Sequence, residues 1–217
     1  LTGGAGNYII NGGAGNDTIN SGAGTAGADA NAGIETLTGG SETDTFRFGN
    51  STISGAPAAI DVVSDWTDGT DFISISEGAT FAAGGAEGFA QAGGVAGTLA
   101  VTANGGVTIL SLAAGGAAQA VGAGQFIKLT TGTATAASDQ ATFNAAITTG
   151  TITGLTADTL MVGSYYDTTT GQAVIIEIDS GGASTVLETA DVIRVLARVT
   201  MSAAAYTTFT GADLGVF

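Results

Sequence analysis

The chain of 217 residues contains no cysteine and no histidine, and it has a single proline and only four basic residues. Without cysteine or histidine it has no Ser–His–Asp triad, no cysteine nucleophile, no disulfide and no histidine-ligated zinc or iron. The single lysine, Lys128, lies in the apolar stretch GQFIKLT and is a poor candidate for a serine–lysine dyad. Carboxylate chemistry of the kind that glycosidases use stays open, but we expect no catalytic activity in this chain.

Basic residues are scarce while acids are not: 19 acidic residues give a formal net charge of −15. Nucleic acids and anionic lipid surfaces would repel such a chain, so we expect neither as a partner. A surface of this charge attracts cations instead. No apolar run is long enough to predict a membrane span, and the first residues do not resemble a cleaved signal peptide.

Glycine is abundant, with 37 residues, and near the N-terminus its spacing is regular. From Gly3 the chain reads in nine-residue units: GGAGNYIIN, GGAGNDTIN, SGAGTAGAD, ANAGIETLT and GGSETDTFR. The sixth place of the five units holds Tyr8, Asp17, Ala26, Glu35 and Asp44. The eighth place is apolar throughout and holds Ile10, Ile19, Ala28, Leu37 and Phe46.

Each unit is suited to a tight turn followed by a minimal strand. A triplet such as Thr18-Ile19-Asn20 extends as a strand that turns one apolar side chain inward. The six residues before it form a turn whose glycines adopt positive φ and expose backbone carbonyls. Two units predict a coil of 18 residues, in which an acid at the sixth place faces carbonyls of the next turn. Carboxylate and carbonyl oxygens of this kind suit calcium, with its six to eight flexible ligands.

Residues 12–20 match the pattern G-G-x-G-x-D-x-U-x at every defined position, and residues 39–47 depart from it only at Glu42. In this the chain resembles the RTX family of calcium-binding β-roll proteins. The stretch IDVVSDWTDGTDFISIS, residues 60–76, is similar to the segment that closes an RTX roll. The resemblance implies an extracellular protein that is exported by bacterial type I secretion machinery and folds outside the cell with Ca²⁺.

With 18 residues per coil, turn 12–17 is expected to stack on residues 30–35, so that Asp17 and Glu35 share one cage. On the other side, residues 21–26 would stack on residues 39–44, and Asp44 would face Ala26. The alternative is a decayed roll whose glycine turns are solvated and hold no metal. The candidate calcium ligands in the repeats are Gly12, Ala14, Gly15, Asp17, Gly33, Glu35, Gly39 and Asp44.

The densest group of acids follows the repeats, at Asp61, Asp65, Asp68 and Asp71. One interpretation is that they complete a calcium site at the end of the roll, with Asp65 and Asp71 as ligands. Trp66 and Phe72 would then cover the open end. The other is that these acids form a solvated turn between strands at 61–64 and 72–76.

The remainder of the chain predicts a mainly antiparallel β region. Residues 78–99 are rich in glycine and alanine and indicate a loop. Alternation predicts a hairpin over 98–112, a second hairpin over 158–179 that turns near 169–171, and a strand at 190–200. Short helices are predicted over 138–149, with Ser138 as the N-cap and Gly150 as the stop, and over 202–209.

The predicted fold class is therefore mostly β. We expect a short parallel β-roll with its closing segment at residues 1–77, followed at 78–217 by a mixed, mainly antiparallel β cap with one or two short helices. The last residues, FTGADLGVF, are similar to the uncleaved export signal of type I substrates and also fit a terminal strand of the cap.

Three functions fit these features, and we favour the first. It is a structural region of an extracellular surface layer or cell-surface protein, in which calcium drives folding and self-association into a lattice or fibre. The second is the export and folding module of a secreted RTX protease or lipase. The third is the terminus of an adhesin or of a matrix fibre.

Overall fold

The structure of the chain is a computed structural model. It describes residues 1–3, 7–21, 34–48, 60–75, 109–112, 119–120, 126–130, 132, 138–147, 152–153, 159–180 and 191–216. The candidate ligand Gly33, the predicted loop at 78–99, the first strand of the hairpin at 98–112 and the last residue, Phe217, lie outside these ranges.

The described residues are mostly β, as predicted. The N-terminal strands are β1 (Ile9–Ala14), β2 (Thr18–Asn20), β3 (Thr36–Ser41), β4 (Thr45–Phe48), β5 (Val62–Val63) and β6 (Phe72–Ile75). The later strands are β7 (Ile109–Leu112), β8 (Gln119–Ala120), β9 (Phe126–Leu129), β10 (Ile152–Thr153), β11 (Thr159–Asp167), β12 (Gln172–Ser180), β13 (Val192–Thr200) and β14 (Leu214–Val216). The helices of the described residues are α1 (Asp139–Ala146) and α2 (Ala203–Thr208), and a 3₁₀ turn at Gly211–Asp213 follows α2.

The first six strands form a parallel roll with two faces. One face is the stack β1–β3–β5, and the other is the stack β2–β4–β6. The chain alternates between the two stacks, so each pair of strands makes one coil. Strand pairing joins Ile9 to Thr36, and the Asp17 N–H donates to Asp44 Oδ1, 27 residues further along the chain, so the coil is longer than the predicted 18 residues.

The interior of the roll is filled by two columns of apolar side chains. Ile10 pairs with Leu37, which pairs with Val63. Ile19 pairs with Phe46 on the facing stack. All of these except the partly buried Ile10 are fully buried. The predicted inward position of the eighth place is therefore confirmed wherever the structure describes it.

The packing of these columns explains why the 18-residue register is wrong for the described coils. That register would stack Ile10 on Ala28 and would leave the interior short of volume at that layer. The observed register stacks Ile10 on Leu37 and Ile19 on Phe46 instead. Large apolar residues then meet large apolar residues, which avoids the cost of a cavity.

Beyond the roll, the sheet continues into the C-terminal region. Strand β13 pairs in parallel with β5 and antiparallel with β12. Strands β11 and β12 form the predicted hairpin with its turn at 168–171, and β9 and β7 follow in parallel. The result is one eight-stranded mixed sheet in the order β1-β3-β5-β13-β12-β11-β9-β7.

The end of the chain also belongs to the roll. Strand β14 pairs in parallel with β6, with Leu214 beside Ile73. Strands β13 and β14 thus add one further layer to each stack, and residues 192–216 form a fourth coil. The two regions predicted at 1–77 and 78–217 share this sheet and one core cluster, which includes Ile19, Phe46 and Leu214.

Both predicted helices are present, and α1 begins at its predicted cap. The Ser138 hydroxyl accepts the Ala141 N–H, and α1 ends at Ala146, three residues before the predicted end. Ser202 caps α2 in the same way. Lys128, on β9, is buried and donates from Nζ to the carbonyls of Thr207 and Phe209. These two hydrogen bonds hold the C-terminal end of α2 against β9.

The fold predicts how two phenylalanines on adjacent strands differ. Phe46 is fully buried between the two stacks, whereas Phe72 on β6 is 38% exposed. We expect Phe46→Ala to lower the free energy of unfolding by about 3–5 kcal/mol, because it leaves a cavity in the column. Phe72→Ala is the control and should cost less than about 1 kcal/mol. Equal losses in urea denaturation would contradict the arrangement.

Candidate metal centre

The turns that carry the consensus repeat are stacked directly on one another. Gly13 pairs with Gly40 and Ala14 with Ser41, so turn 12–17 lies on turn 39–44. Glu35, from the predicted partner turn, lies against Asp61 instead. Asp17 therefore lies next to Asp44, and the predicted sharing of one cage by Asp17 and Glu35 is wrong.

A ladder of carboxylates joins the turns on this side of the roll. Asp44 Oδ1 accepts the backbone N–H of Asp17 at 2.9 Å. Asp71 Oδ1 accepts the N–H of Asp44 at 3.0 Å, and its Oδ2 accepts the N–H of Thr67 at 2.8 Å. Asp44 and Asp71 thus each bind the backbone of the turn before them. We call Asp17, Asp44 and Asp71 the aspartate ladder.

The second oxygens of the first two ladder carboxylates are buried without a hydrogen-bond partner. Asp17 Oδ2 and Asp44 Oδ2 are both in this state, and the Asp44 side chain is fully buried. An unpaired buried carboxylate oxygen is costly. These two atoms are therefore positions where a cation would lower the free energy of the folded chain.

Glycine is needed where these oxygens lie. A Cβ on Gly12 would come within 2.6 Å of Asp17 Oδ2 and 2.5 Å of the Gly39 carbonyl oxygen. A Cβ on Gly39 would clash with Asp44 Oδ2 in the same way. Carboxylate and carbonyl oxygens thus lie close together beside glycines that have no side chain. Oxygen atoms of these two kinds are the ligands that calcium prefers.

Two residues at equivalent places in the turns adopt positive φ. Gly15 has φ of 104°, and Glu42, which replaces the consensus glycine, has φ of 81°. The left-handed region strains a residue with a side chain. The Glu42 carboxylate also approaches Gly15, with its Oε2 3.9 Å from where a Gly15 Cβ would lie. Glu42 is a carboxylate near the turns that was not among the candidates from the sequence.

A second acid pair lies on the opposite side of the roll. Asp61 Oδ1 accepts the Glu35 N–H at 2.9 Å, and both side chains are buried. Burial raises the pKa of Asp61 from 3.8 to about 8. The hydrogen bond to the Glu35 side chain and the negative charge of Glu35 contribute to this rise. Glu35 is therefore the partner of Asp61 and not of Asp17.

The acids between 61 and 71 are not all solvated, although Asp68 is exposed in a turn at 68–70. Asp61 and Asp71 are buried, and burial raises the pKa of Asp71, with the charges of Asp44 and Asp65 adding to the effect. Asp65 accepts the N–H groups of Gly39 and Gly40, both at 2.9 Å, so its two oxygens close turn 39–44.

The outer residues of this segment also differ from expectation. Asp68 contacts the Thr208 hydroxyl. Trp66 is buried edge-on against Phe209, 5.6 Å between ring centres, and so belongs to the core. Phe72, the other predicted cover, is partly exposed. The predicted lid of Trp66 and Phe72 over the end of the roll is wrong, because the fourth coil occupies that position.

In the described ranges the acids come together in pairs. No group of three or more Asp, Glu, His or Cys side chains that could hold a metal occurs there, so any cation at these turns would need backbone carbonyls as well. The described helices include none that is long and apolar enough to span a membrane.

Comparisons of the chain with protein-family models, with curated proteins and with solved structures found no match. The resemblance to the RTX family therefore rests on the residues of the repeats and of the closing segment.

The positive φ at Gly15 and Glu42 leads to a paired prediction. We expect Gly15→Ala to lower the free energy of unfolding by about 1–3 kcal/mol and Glu42→Gly to raise it by about 1 kcal/mol. Both are measured by thermal unfolding in chelator, so that loss of the Glu42 carboxylate as a ligand does not contribute. Changes of the same sign would show that φ does not decide the stability of these turns.

The pKa of Asp61 sets a pH dependence. Because the folded-state pKa is raised to about 8 from 3.8, the folded chain binds this proton more tightly than the unfolded chain. The stabilisation of the fold by this bound proton is complete below pH 4 and is lost as the pH rises through 8. We expect denaturation midpoints in chelator to fall between pH 5 and pH 9, and to fall less in Asp61→Asn. The same slope in both proteins would contradict the shift.

Proposed function

We propose that the roll binds calcium between its stacked turns and that calcium completes its folding. The observation that carries this proposal is the pair of buried carboxylate oxygens, Asp17 Oδ2 and Asp44 Oδ2, without hydrogen-bond partners beside glycine backbone. A hydrogen-bond donor is missing at both atoms, and a cation supplies the compensating charge.

The donor chemistry favours calcium over other metals. The chain has no cysteine or histidine for zinc or copper. Magnesium demands a strict octahedron at short distances, whereas calcium accepts six to eight oxygens in flexible geometry. On turn 12–17 and turn 39–44, Asp17 and Asp44 would bind through their carboxylates, with backbone oxygens of Gly12, Ala14, Gly15 and Gly39 completing the shell.

Two further acid pairs extend the proposal along the roll. Asp71 continues the aspartate ladder beyond Asp44, and Glu35 lies against Asp61 on the other side. Two buried carboxylates in contact repel one another unless a proton or a cation lies between them. Asp65 and Asp71 are weaker candidate ligands than Asp17 and Asp44, because both oxygens of each already accept backbone N–H groups.

For the biological role we propose a structural region of an extracellular surface layer or cell-surface protein that type I secretion exports. A net charge of −15 opposes contact between copies at low calcium, and calcium that neutralises carboxylates would permit assembly. The alternative role is the export and folding module of a secreted enzyme or adhesin. A surface-layer protein forms ordered sheets in calcium, whereas such a module stays dispersed.

Calorimetric titration tests the metal proposal. We expect the chain to bind calcium with a dissociation constant of about 10⁻⁴ to 10⁻³ M, as extracellular calcium modules do, and to bind magnesium more weakly. Asp44→Asn keeps the shape and the acceptor for the Asp17 N–H but removes the charge, so it should weaken binding about tenfold or more.

The matched control is Asp139→Asn, which removes one carboxylate charge on α1, outside the roll, where Asp139 pairs with Arg198. It should leave calcium affinity unchanged. Absence of calcium binding by the unmodified chain, or equal weakening by the two variants, would refute the proposal. Circular dichroism of each variant checks that the β structure is retained.

A further inference from the structure

Asp44 and Asp71 hold equivalent places in successive turns, but their second oxygens differ. Oδ1 of each accepts the N–H of the ladder residue 27 positions earlier. Asp71 Oδ2 also accepts the N–H of Thr67, four residues before it in the same turn. Asp44 Oδ2 is buried without a hydrogen-bond partner, although the turns on both sides of it lie within the described residues. Turn 39–44 therefore lacks a donor that turn 65–71 has.

Asp65 binds the N–H group that Asp44 Oδ2 lacks. Gly40 lies four residues before Asp44, the place that Thr67 holds in the next turn. The Gly40 N–H donates to Asp65 Oδ2 at 2.9 Å, and the neighbouring Gly39 N–H donates to Asp65 Oδ1 at 2.9 Å. Because this donor is taken, Asp44 keeps a buried oxygen whose charge no donor compensates, which is costly.

The spaces between the turns consequently differ in their need for a cation. We call the space between turn 12–17 and turn 39–44 the first gap, and the space between turn 39–44 and turn 65–71 the second gap. In the second gap, both oxygens of Asp65 and both oxygens of Asp71 accept backbone N–H groups. Such hydrogen bonds stabilise a carboxylate in its charged form. The second gap is therefore closed without a metal.

Turn 65–71 is in turn held by the C-terminal end of the chain. The Gly69 N–H donates to Asp213 Oδ1 at 3.3 Å. Trp66 packs edge-on against Phe209, with 5.6 Å between the ring centres. Strand β6, which follows the turn, pairs with β14. None of these three contacts brings two carboxylates together, so none of them requires a counter-charge.

We propose that, on the side of the aspartate ladder, the calcium requirement of the roll is confined to the first gap. Asp65 and Asp71 are positioning residues, which hold turn 39–44 in place without metal. Asp44 is thereby presented as a preformed half of the cation site, and calcium fastens turn 12–17 to a part of the roll that is already folded. Ligands that are held before binding reduce the ordering cost of binding. This inference rests on the calcium binding proposed above.

Hydrogen exchange of single amides, followed by NMR in calcium and in chelator, tests the inference on the unmodified chain. The Asp17 and Thr45 N–H groups report on the first gap, because they donate to Asp44 Oδ1 and to the Asp17 carbonyl. The Asp44 and Phe72 N–H groups make the equivalent bonds across the second gap. We expect chelation to speed exchange at least about tenfold at the first pair and less than about twofold at the second.

The outcomes separate this inference from the calcium proposal. If calcium binds but chelation speeds the exchange of all four amides equally, or of none, the inference is wrong and the calcium proposal stands. If calorimetric titration detects no calcium binding, both are wrong. The Asp17 and Asp44 amides are matched, because each donates to the ladder carboxylate of the next turn.

Asp65→Asn tests the positioning role. The variant keeps one acceptor oxygen, so the N–H of Gly39 or Gly40 loses its partner and turn 39–44 opens more often. We expect Gly40 exchange in chelator to become at least about fivefold faster. The dissociation constant for calcium should rise about three- to tenfold, because the binding-competent fraction of the turn falls. Asp68→Asn is the control: it removes the same charge from the same turn and should change neither quantity.

Weaker calcium binding with unchanged Gly40 exchange in chelator would make Asp65 a ligand and overturn the inference. Faster Gly40 exchange with unchanged affinity would also overturn it, because turn 39–44 would then not be a preformed part of the site. Circular dichroism checks that both variants fold. If Asp65→Asn does not fold, the exchange rates of the unmodified chain decide.

Discussion

Backbone N–H groups that turn away from the strands of a parallel roll need acceptors, and here carboxylates of the next coil supply them. Asp44 accepts from Asp17, and Asp71 accepts from Asp44. These bonds lock the 27-residue spacing that stacks one turn on the next. The pairs β1–β3, β2–β4 and β4–β6 keep this spacing, whereas β3 and β5 pair 26 residues apart. Within each pair a shift by one residue would turn every inward side chain outward.

The same turns also place acidic side chains next to one another. Each acid is held beside another acid with little water, and burial raises the pKa of Asp61 and Asp71. A proton relieves this at low pH, and a divalent cation would relieve it at neutral pH. The carboxylates that accept hydrogen bonds between coils are thus the same groups whose negative charges would be neutralised by a bound proton or cation.

Local patterns predicted the local structure well. The nine-residue repeat located the turns and the inward residues, and the Ser138 cap located the start of α1. The coil length was not predictable from the motif, because it depends on which distant layers fit together, and Ile10 fits Leu37 better than it fits Ala28. The pairing of β14 with β6 was missed for a related reason: no residue near either strand encodes a contact between positions so far apart in sequence.

That pairing affects how fast the molecule can form. The fourth coil takes β13 and β14 from the C-terminal end of the chain and lays them on strands whose last residue is Ile75. The ends of the segment 76–191 must therefore be brought together before the roll gains its last layer. The conformational entropy lost in this closure opposes folding before the stabilising contacts of the fourth coil have formed. A parallel sheet completed through contacts of such separation belongs to the slowly folding class. Until the closure occurs, β5 and β6 are themselves bare edges.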